Sequence, residues 1–265
     1  MNVTARRTGK FPLRLDQMTP RGRAPNARST GPLGGPSASV MPVGVGMDSE
    51  QFVLRMVQRL RDRGVTHHRV LEAMAAIRRH EFLDSALAVQ AYQDTSLPIG
   101  HGQTISKPSV VARMIELLFD GATARRSQSL GRVLEIGTGC GYQAAVLAHL
   151  SSSVVSIERI RLLHERAREL LVDVRRDSVR LVFGDGMRGH LPNAPYDSII
   201  AAAGGDSVPQ AWIDQLAPGG RLVAPARHLG ANEQVLVIVD RSDEGIRQTV
   251  FEAVNFVPLK SGVVG

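Results

Sequence analysis

Hydrophobic positions along this chain fall into two regimes, and the change comes near residue 48. Before it, the few large apolar residues lie among Gly, Pro, Ser and Arg and follow no period. After it, Phe52, Met56, Val57 and Leu60 recur at the spacing that puts them on one side of a helix, which Gly64 ends. Thr66 is placed to cap a second helix burying Val70, Leu71, Met74 and Ile77. A loop is expected over about 94–107, with Pro98, Gly100 and Gly102 in it. A third helix runs from about Pro108 to Phe119, with Val110, Val111, Met114, Ile115 and Leu118 on one side. Pro108 suits its first turn, where a missing N–H is no loss.

Beyond a polar linker at 121–129, strand and helix patterns alternate. Strands are expected near 132–136, 154–158, 179–183, 198–202, 221–224, 235–239 and 249–257. Helices fit 142–150, 162–171 and 209–216. Such alternation predicts an α/β fold, a parallel sheet covered by helices on both faces.

Composition changes this picture at one end only. The chain carries +7, but residues 1–47 hold Arg6, Arg7, Lys10, Arg14, Arg21, Arg23 and Arg28 against Asp16 alone. The rest is close to balance, so the basicity belongs to the tail. Residues 1–47 have too little apolar surface to offset chain entropy and are expected to be a disordered extension, with the folded domain over 48–265. Met47 is a candidate alternative start. Arg6-Arg7 are not followed by the apolar stretch an export signal needs. No apolar run is long enough to cross a bilayer. The single cysteine, Cys140, excludes an internal disulfide and fits a reducing, cytoplasmic setting.

The chemistry-bearing segment is Val133-Leu134-Glu135-Ile136-Gly137-Thr138-Gly139-Cys140-Gly141-Tyr142, read as a buried strand, a glycine turn and a helix start. Glycine permits the sharp turn and lets a ligand approach the main chain. A dinucleotide site prefers G-x-G-x-x-G. Here the glycines run G-x-G-x-G and Tyr142 takes the sixth position, which suits a nucleoside carrying a sulfonium and no phosphate. Glu158, about 20 residues on at the end of the next strand, can accept hydrogen bonds from ribose hydroxyls. Asp185, in Gly184-Asp185-Gly186, can accept one from an adenine amino group or serve as a plain turn residue. Glu135 is a candidate for the sulfonium or amino-acid end of that ligand, or for orienting the loop.

Together with Leu97-Pro98-Ile99-Gly100-His101-Gly102-Gln103-Thr104-Ile105-Ser106, Ser156-Ile157-Glu158-Arg159, Ala194-Pro195-Tyr196-Asp197 and Phe256-Val257-Pro258-Leu259, these motifs resemble the protein-L-isoaspartate O-methyltransferase family, its bacterial branch closely, over roughly residues 50–260. The resemblance implies a seven-stranded, Rossmann-like S-adenosylmethionine-dependent methyltransferase sheet over about 130–260, with extra helices and a substrate loop over 48–120. It implies Ser106 as the active-site hydroxyl, beside Thr104 and Ile105 in the substrate segment. Glu135, Gly137, Thr138, Gly139, Gly141, Glu158, Asp185 and Gly186 then form the expected S-adenosylmethionine site. The implied activity is protein repair: methylation of the free α-carboxylate of L-isoaspartyl residues, after which the ester closes to a succinimide. The implied partners are proteins and peptides containing such residues. A monomer with no membrane, metal or specific nucleic-acid partner is expected.

The local physics agrees with that role for Ser106, because a helix N-terminus attracts an anion, although a serine there is by default an N-cap. Lys107 stands where the family usually has an uncharged residue and is read as pointing to water. Gly204-Gly205-Asp206 replaces a proline pattern, and Ala226-Arg227 is a second departure; both bear on substrate choice. His67-His68 lie at a helix start rather than in a ligand cluster, and Cys140 has no base near it in sequence. Trp212 is read as packing, and Arg175-Arg176 as a solvated face. Two other readings stay open, a methyltransferase of RNA or a small molecule and a noncatalytic nucleic-acid-binding protein using the basic tail. The glycine spacing disfavours a nicotinamide oxidoreductase.

Overall fold

The structure, a computed structural model, describes residues 46–172, 178–228 and 233–265. Of the sequence expectations, the disordered extension over 1–47 (all but its last two residues) and the solvated Arg175-Arg176 lie outside the described residues. The N-terminal helices are α1 (Gly46–Asp62) and α2 (His68–Ala76). Gly64, at φ +88°, ends the first as expected. Thr66 is not the cap of the second. His67 is, and the carboxylate of Glu116, 50 residues away, accepts from Thr66 N at 2.7 Å and His67 N at 2.9 Å. These bonds anchor the residues leading into α2, whose own first turn carries no side-chain cap.

The expected loop over 94–107 contains a hairpin of β1 (Leu97–Gly100) and β2 (Gln103–Ile105), turned by Gly100, His101 and Gly102, all at positive φ. It leads into α3 (Pro108–Phe119). The polar linker likewise contains a short helix, α4 (Ala122–Ser127).

The remaining strands are β3 (Arg132–Ile136), β4 (Ser153–Glu158), β5 (Val179–Phe183), β6 (Tyr196–Ala201), β7 (Leu216–Arg227), β8 (Gln234–Ser242) and β9 (Gly245–Val254). Helices α5 (Tyr142–Ala148), α6 (Arg161–Leu170) and α7 (Gln210–Asp214) alternate with them. The seven strands form one sheet in the order β5-β4-β3-β6-β7-β8-β9. It is parallel from β5 to β7, but β8 and β9 run antiparallel, so the wholly parallel sheet expected from the alternation is corrected at one edge. Among the described residues no helix separates β7, β8 and β9, and strands adjacent in the chain with no crossover helix between them pair antiparallel.

Side chains alternate faces along each strand. Val133, Val154, Ile200 and Val223 join one core with apolar residues of α1, α2, α3 and α5. Leu134, Val155, Ile199 and Leu222 join a second core with Trp212. Strand order reverses between β3 and β6, which opens a crevice at their carboxyl ends, where open α/β sheets bind ligands.

Candidate active site

A cavity of about 330 Å³ occupies that crevice. Its floor is the main chain from Ile136 to Cys140, after β3, and its sides are Ile157–Ile160 from the end of β4, Gly186 after β5 and Ala202-Ala203 after β6. The hairpin and the turn into α3 close one side with Ile99, Thr104, Ile105 and Ser106. The C-terminal segment closes another with Val257–Lys260 and Val264.

The turn below the cavity needs glycine for two reasons. Gly137, Gly139 and Gly141 lie at φ +90°, +56° and +91°, where L side chains are strained. A Cβ on Gly139 would also stand 3.1 Å from Ile99 Cδ1 across the cavity. The bare main chain of Gly137 and Gly139 is thus a cradle that side chains would fill. Gly141 plays a different part: it does not line the cavity but caps α5.

Glu158 is buried and lines the cavity. Its Oε2 accepts from Gly139 N and its Oε1 from Ile160 N, both at 2.9 Å. Burial pushes this carboxyl up, while the Gly139 and Ile160 N–H groups pull it down. Each oxygen keeps a lone pair for a further donor, as binding to ribose hydroxyls requires.

Asp185 stands outside the lining. Its Oδ1 accepts from Met187 N at 3.0 Å and its Oδ2 from Gly262 N at 2.8 Å, so it ties the C-terminal segment to the turn after β5. Gly186 next to it does line the cavity, and a Cβ there would meet Ile136 Cγ2 at 2.6 Å. The Trp212 indole N–H fixes the Gly186 carbonyl at 2.8 Å, which gives this packing residue a second task.

Glu135 also stands outside the lining, fully buried under the turn. Ser156 Oγ donates to its Oε2 at 2.5 Å and lies 2.6 Å from Thr138 Oγ1. Its other oxygen has no partner among the described residues. Burial pushes this carboxyl up to about 8, against the Ser156 hydroxyl, which pulls it down. The contacts make it a support for Thr138 rather than a ligand group. An unfolded glutamate ionises near 4.5, so the folded chain holds the extra proton between about pH 4.5 and about pH 8, and stability falls as pH rises through that window. Glu135→Gln cannot ionise. Its melting temperature is expected to gain roughly 5 °C on the wild type between about pH 6 and about pH 9 in thermal unfolding. Parallel melting curves would refute a neutral Glu135.

Ser106 is half-buried in the cavity wall. The cap reading does not hold, because Lys107 is the N-cap residue of α3 and Asp94 serves its first turn, accepting from Ser109 N and Ser109 Oγ at 2.9 Å each. The Ser106 hydroxyl has no hydrogen bond among the described residues and is available to a ligand. Thr104, Ser106, Ala202 and Val257 also line a second cavity of about 390 Å³ and are therefore the wall common to both.

The segments 257–260 and 264, and Ile99, were given no role from sequence. The motif Phe256-Val257-Pro258-Leu259 is legible in the sequence, but nothing local shows that it folds back. Gly204 binds it on both sides, donating to Val257 O at 2.9 Å and accepting from Leu259 N at 2.8 Å. A proline at 204 would lack that N–H. The two departures from the family pattern meet: Arg227 Nη2 lies 2.9 Å from Asp206 Oδ1, and Arg227 N donates to Gly205 O. His67 stacks on Phe119 with ring centroids 4.0 Å apart. Burial raises the Cys140 thiol above its ordinary range, which keeps it a poor nucleophile at neutral pH.

A seven-stranded sheet of this order, with a glycine cradle and an acidic residue at the end of the second parallel strand of the crevice, defines an S-adenosylmethionine-dependent methyltransferase. The family model for protein-L-isoaspartate(D-aspartate) O-methyltransferase matches residues 51–264, and the chain belongs to that family. A protein-L-isoaspartate O-methyltransferase of Methylibium petroleiphilum is 55% identical over 99% of this chain and 99% of its own. One from Leptothrix cholodnii is 53% identical over 97% of this chain and 95% of its own. A solved protein-L-isoaspartate O-methyltransferase superposes with a TM-score of 0.70 at 28% identity, covering 80% of this chain and 67% of that one. A Plasmodium falciparum protein solved with S-adenosyl-L-homocysteine shares the fold, with a TM-score of 0.65 at 23% identity over 78% of this chain and 97% of that one.

Proposed function

We propose that this chain repairs damaged proteins by methylating the free α-carboxylate of L-isoaspartyl residues, with Ser106 positioning that carboxylate. The observation that carries the reading is the wall common to two cavities: Ser106, with its hydroxyl uncommitted, faces both the glycine cradle and a second opening. Gly137, Thr138, Gly139, Glu158 and Gly186 would hold S-adenosylmethionine. When bound, it supplies an electrophilic methyl group on its sulfonium.

The chain's own residues have little acid–base work to do, since a carboxylate is ionised at neutral pH. Ser106 donates a hydrogen bond to one carboxylate oxygen and leaves the other free as nucleophile. Ile99, Ile105, Val257 and Leu259 line the cavity with apolar surface, which strips water from that oxygen. Rate then comes mainly from alignment. The methyl ester cyclises to a succinimide without further help from the enzyme, as a main-chain nitrogen of the substrate attacks the ester carbonyl and methanol leaves.

Among the described residues, no helix is long and apolar enough to cross a membrane. A cytoplasmic setting without a nucleic-acid partner is part of the reading, supported by the lone cysteine and the near-neutral charge of residues 48–265. The test uses a matched peptide pair, L-isoaspartyl and normal aspartyl, with methyl-labelled S-adenosylmethionine. Alkali-labile label on the isoaspartyl peptide alone is expected. Alkali-stable label on RNA or a small molecule, with neither peptide labelled, would replace it with the other methyltransferase reading.

A further inference from the structure

We infer that Lys107 is a specificity-determining residue that favours isoaspartyl sites flanked by acidic side chains. The inference rests on the isoaspartyl reading above and adds a preference that reading does not contain. The second cavity is lined by small, apolar and neutral polar residues, among them Ser96, Val110, Asn255 and Phe256, and among the described residues Lys107 is its one charged member.

The cation is unmatched. The acidic groups of the flanking elements are engaged elsewhere: Asp94, ahead of β1, with Arg63 at 3.2 Å, and Glu116 of α3 and Glu252 of β9 with Arg113 at 2.9 and 3.5 Å. Lys107 is exposed and has no carboxylate within 4.0 Å among the described residues. Its position is also unfavourable for the helix it precedes. An N-cap favours Ser, Thr, Asp or Asn, and a positive charge opposes the helix dipole there. A residue that breaks a local rule beside an active site is most simply explained by what it binds.

Geometry separates Lys107 from the chemistry. The reacting carboxylate must reach the common wall of Thr104, Ser106, Ala202 and Val257, and Lys107 lines only the second cavity. An ammonium paired with the reacting carboxylate would also draw charge from the nucleophile. Its long stem and exposed head suit a carboxylate on a neighbouring residue of the substrate, where it raises capture and leaves the nucleophile alone.

The experiment is a competition in one tube between two isoaspartyl peptides differing only in Glu or Gln at both flanking positions. The full chain is compared with Lys107→Gln and Lys107→Glu. The readout is the ratio of kcat/KM values, in which a general loss of activity or folding cancels. The wild type should prefer the acidic peptide by about three- to fivefold, as for an exposed ion pair. The ratio should fall to about one in Lys107→Gln, fall below one in Lys107→Glu, and shrink for the wild type in about 0.5 M salt. A wild type without preference, or a ratio that both variants keep, would overturn the assignment while leaving isoaspartyl methylation standing. Labelling of neither peptide by the wild type would overturn both.

Discussion

Replacing Ser106 by alanine is expected to lower kcat/KM for an isoaspartyl peptide by about 100-fold and to leave the melting temperature where it was. The two halves come from the same observation. A capping serine would take about 1 kcal/mol of stability with it. Here Lys107 occupies the cap position, Asp94 holds the first turn of α3, and the Ser106 hydroxyl has no partner among the described residues. Its loss therefore falls on the substrate. Steady-state kinetics with the peptide and a thermal melt of the same preparation measure both. A variant with activity within twofold of the wild type would remove Ser106 from the reaction, and one that kept activity but melted lower would restore the cap.

Glu158→Ala should weaken S-adenosylmethionine binding by about 100-fold or more, since each buried group left unpaired costs about 1–3 kcal/mol. The side chain performs two tasks at once. It accepts Gly139 N and Ile160 N, which fixes the cradle against the end of β4, and it keeps lone pairs toward the cavity. Alanine abolishes both. Glu158→Gln has one acceptor oxygen left, so one N–H loses its partner, and an intermediate affinity is expected. Calorimetric titration with S-adenosylmethionine gives the affinities. A dissociation constant for the alanine variant within threefold of the wild type would remove Glu158 from the cofactor site.

What could be read from sequence was what local order dictates. The β3 strand, its glycine turn and the Pro108 helix start are set by residues adjacent in the chain, and the expected bounds of β3 and α3 match the structure. The β1–β2 hairpin was missed because strands of four and three residues are too short to show a period. Thr66 is not free to cap α2 because its N–H and hydroxyl both go to Glu116, on another helix. Asp185 illustrates the limit most clearly. Its place after a strand suits adenine, but whether its oxygens are free depends on Gly262, 77 residues away. Glu135 is similar: spacing brings it next to the glycine turn, and only the pairing of β3 with β4 shows that Ser156 takes its oxygen.

The C-terminal wall of the cavity has a consequence for the order in which the enzyme becomes competent during synthesis. Residues 257–264 reach the site through bonds to Gly204, to Asp185 and, at Val264, to the main chain at Arg159 and Arg161. A nascent chain released from the ribosome tunnel up to β8 already carries the glycine turn, Glu158 and Ser106, yet its crevice is open on that side. Such a chain can fold most of its sheet before it can shield a methyl group from water. A closed site therefore requires residues 257–264 to be docked, and a copy without them has its crevice open on that side.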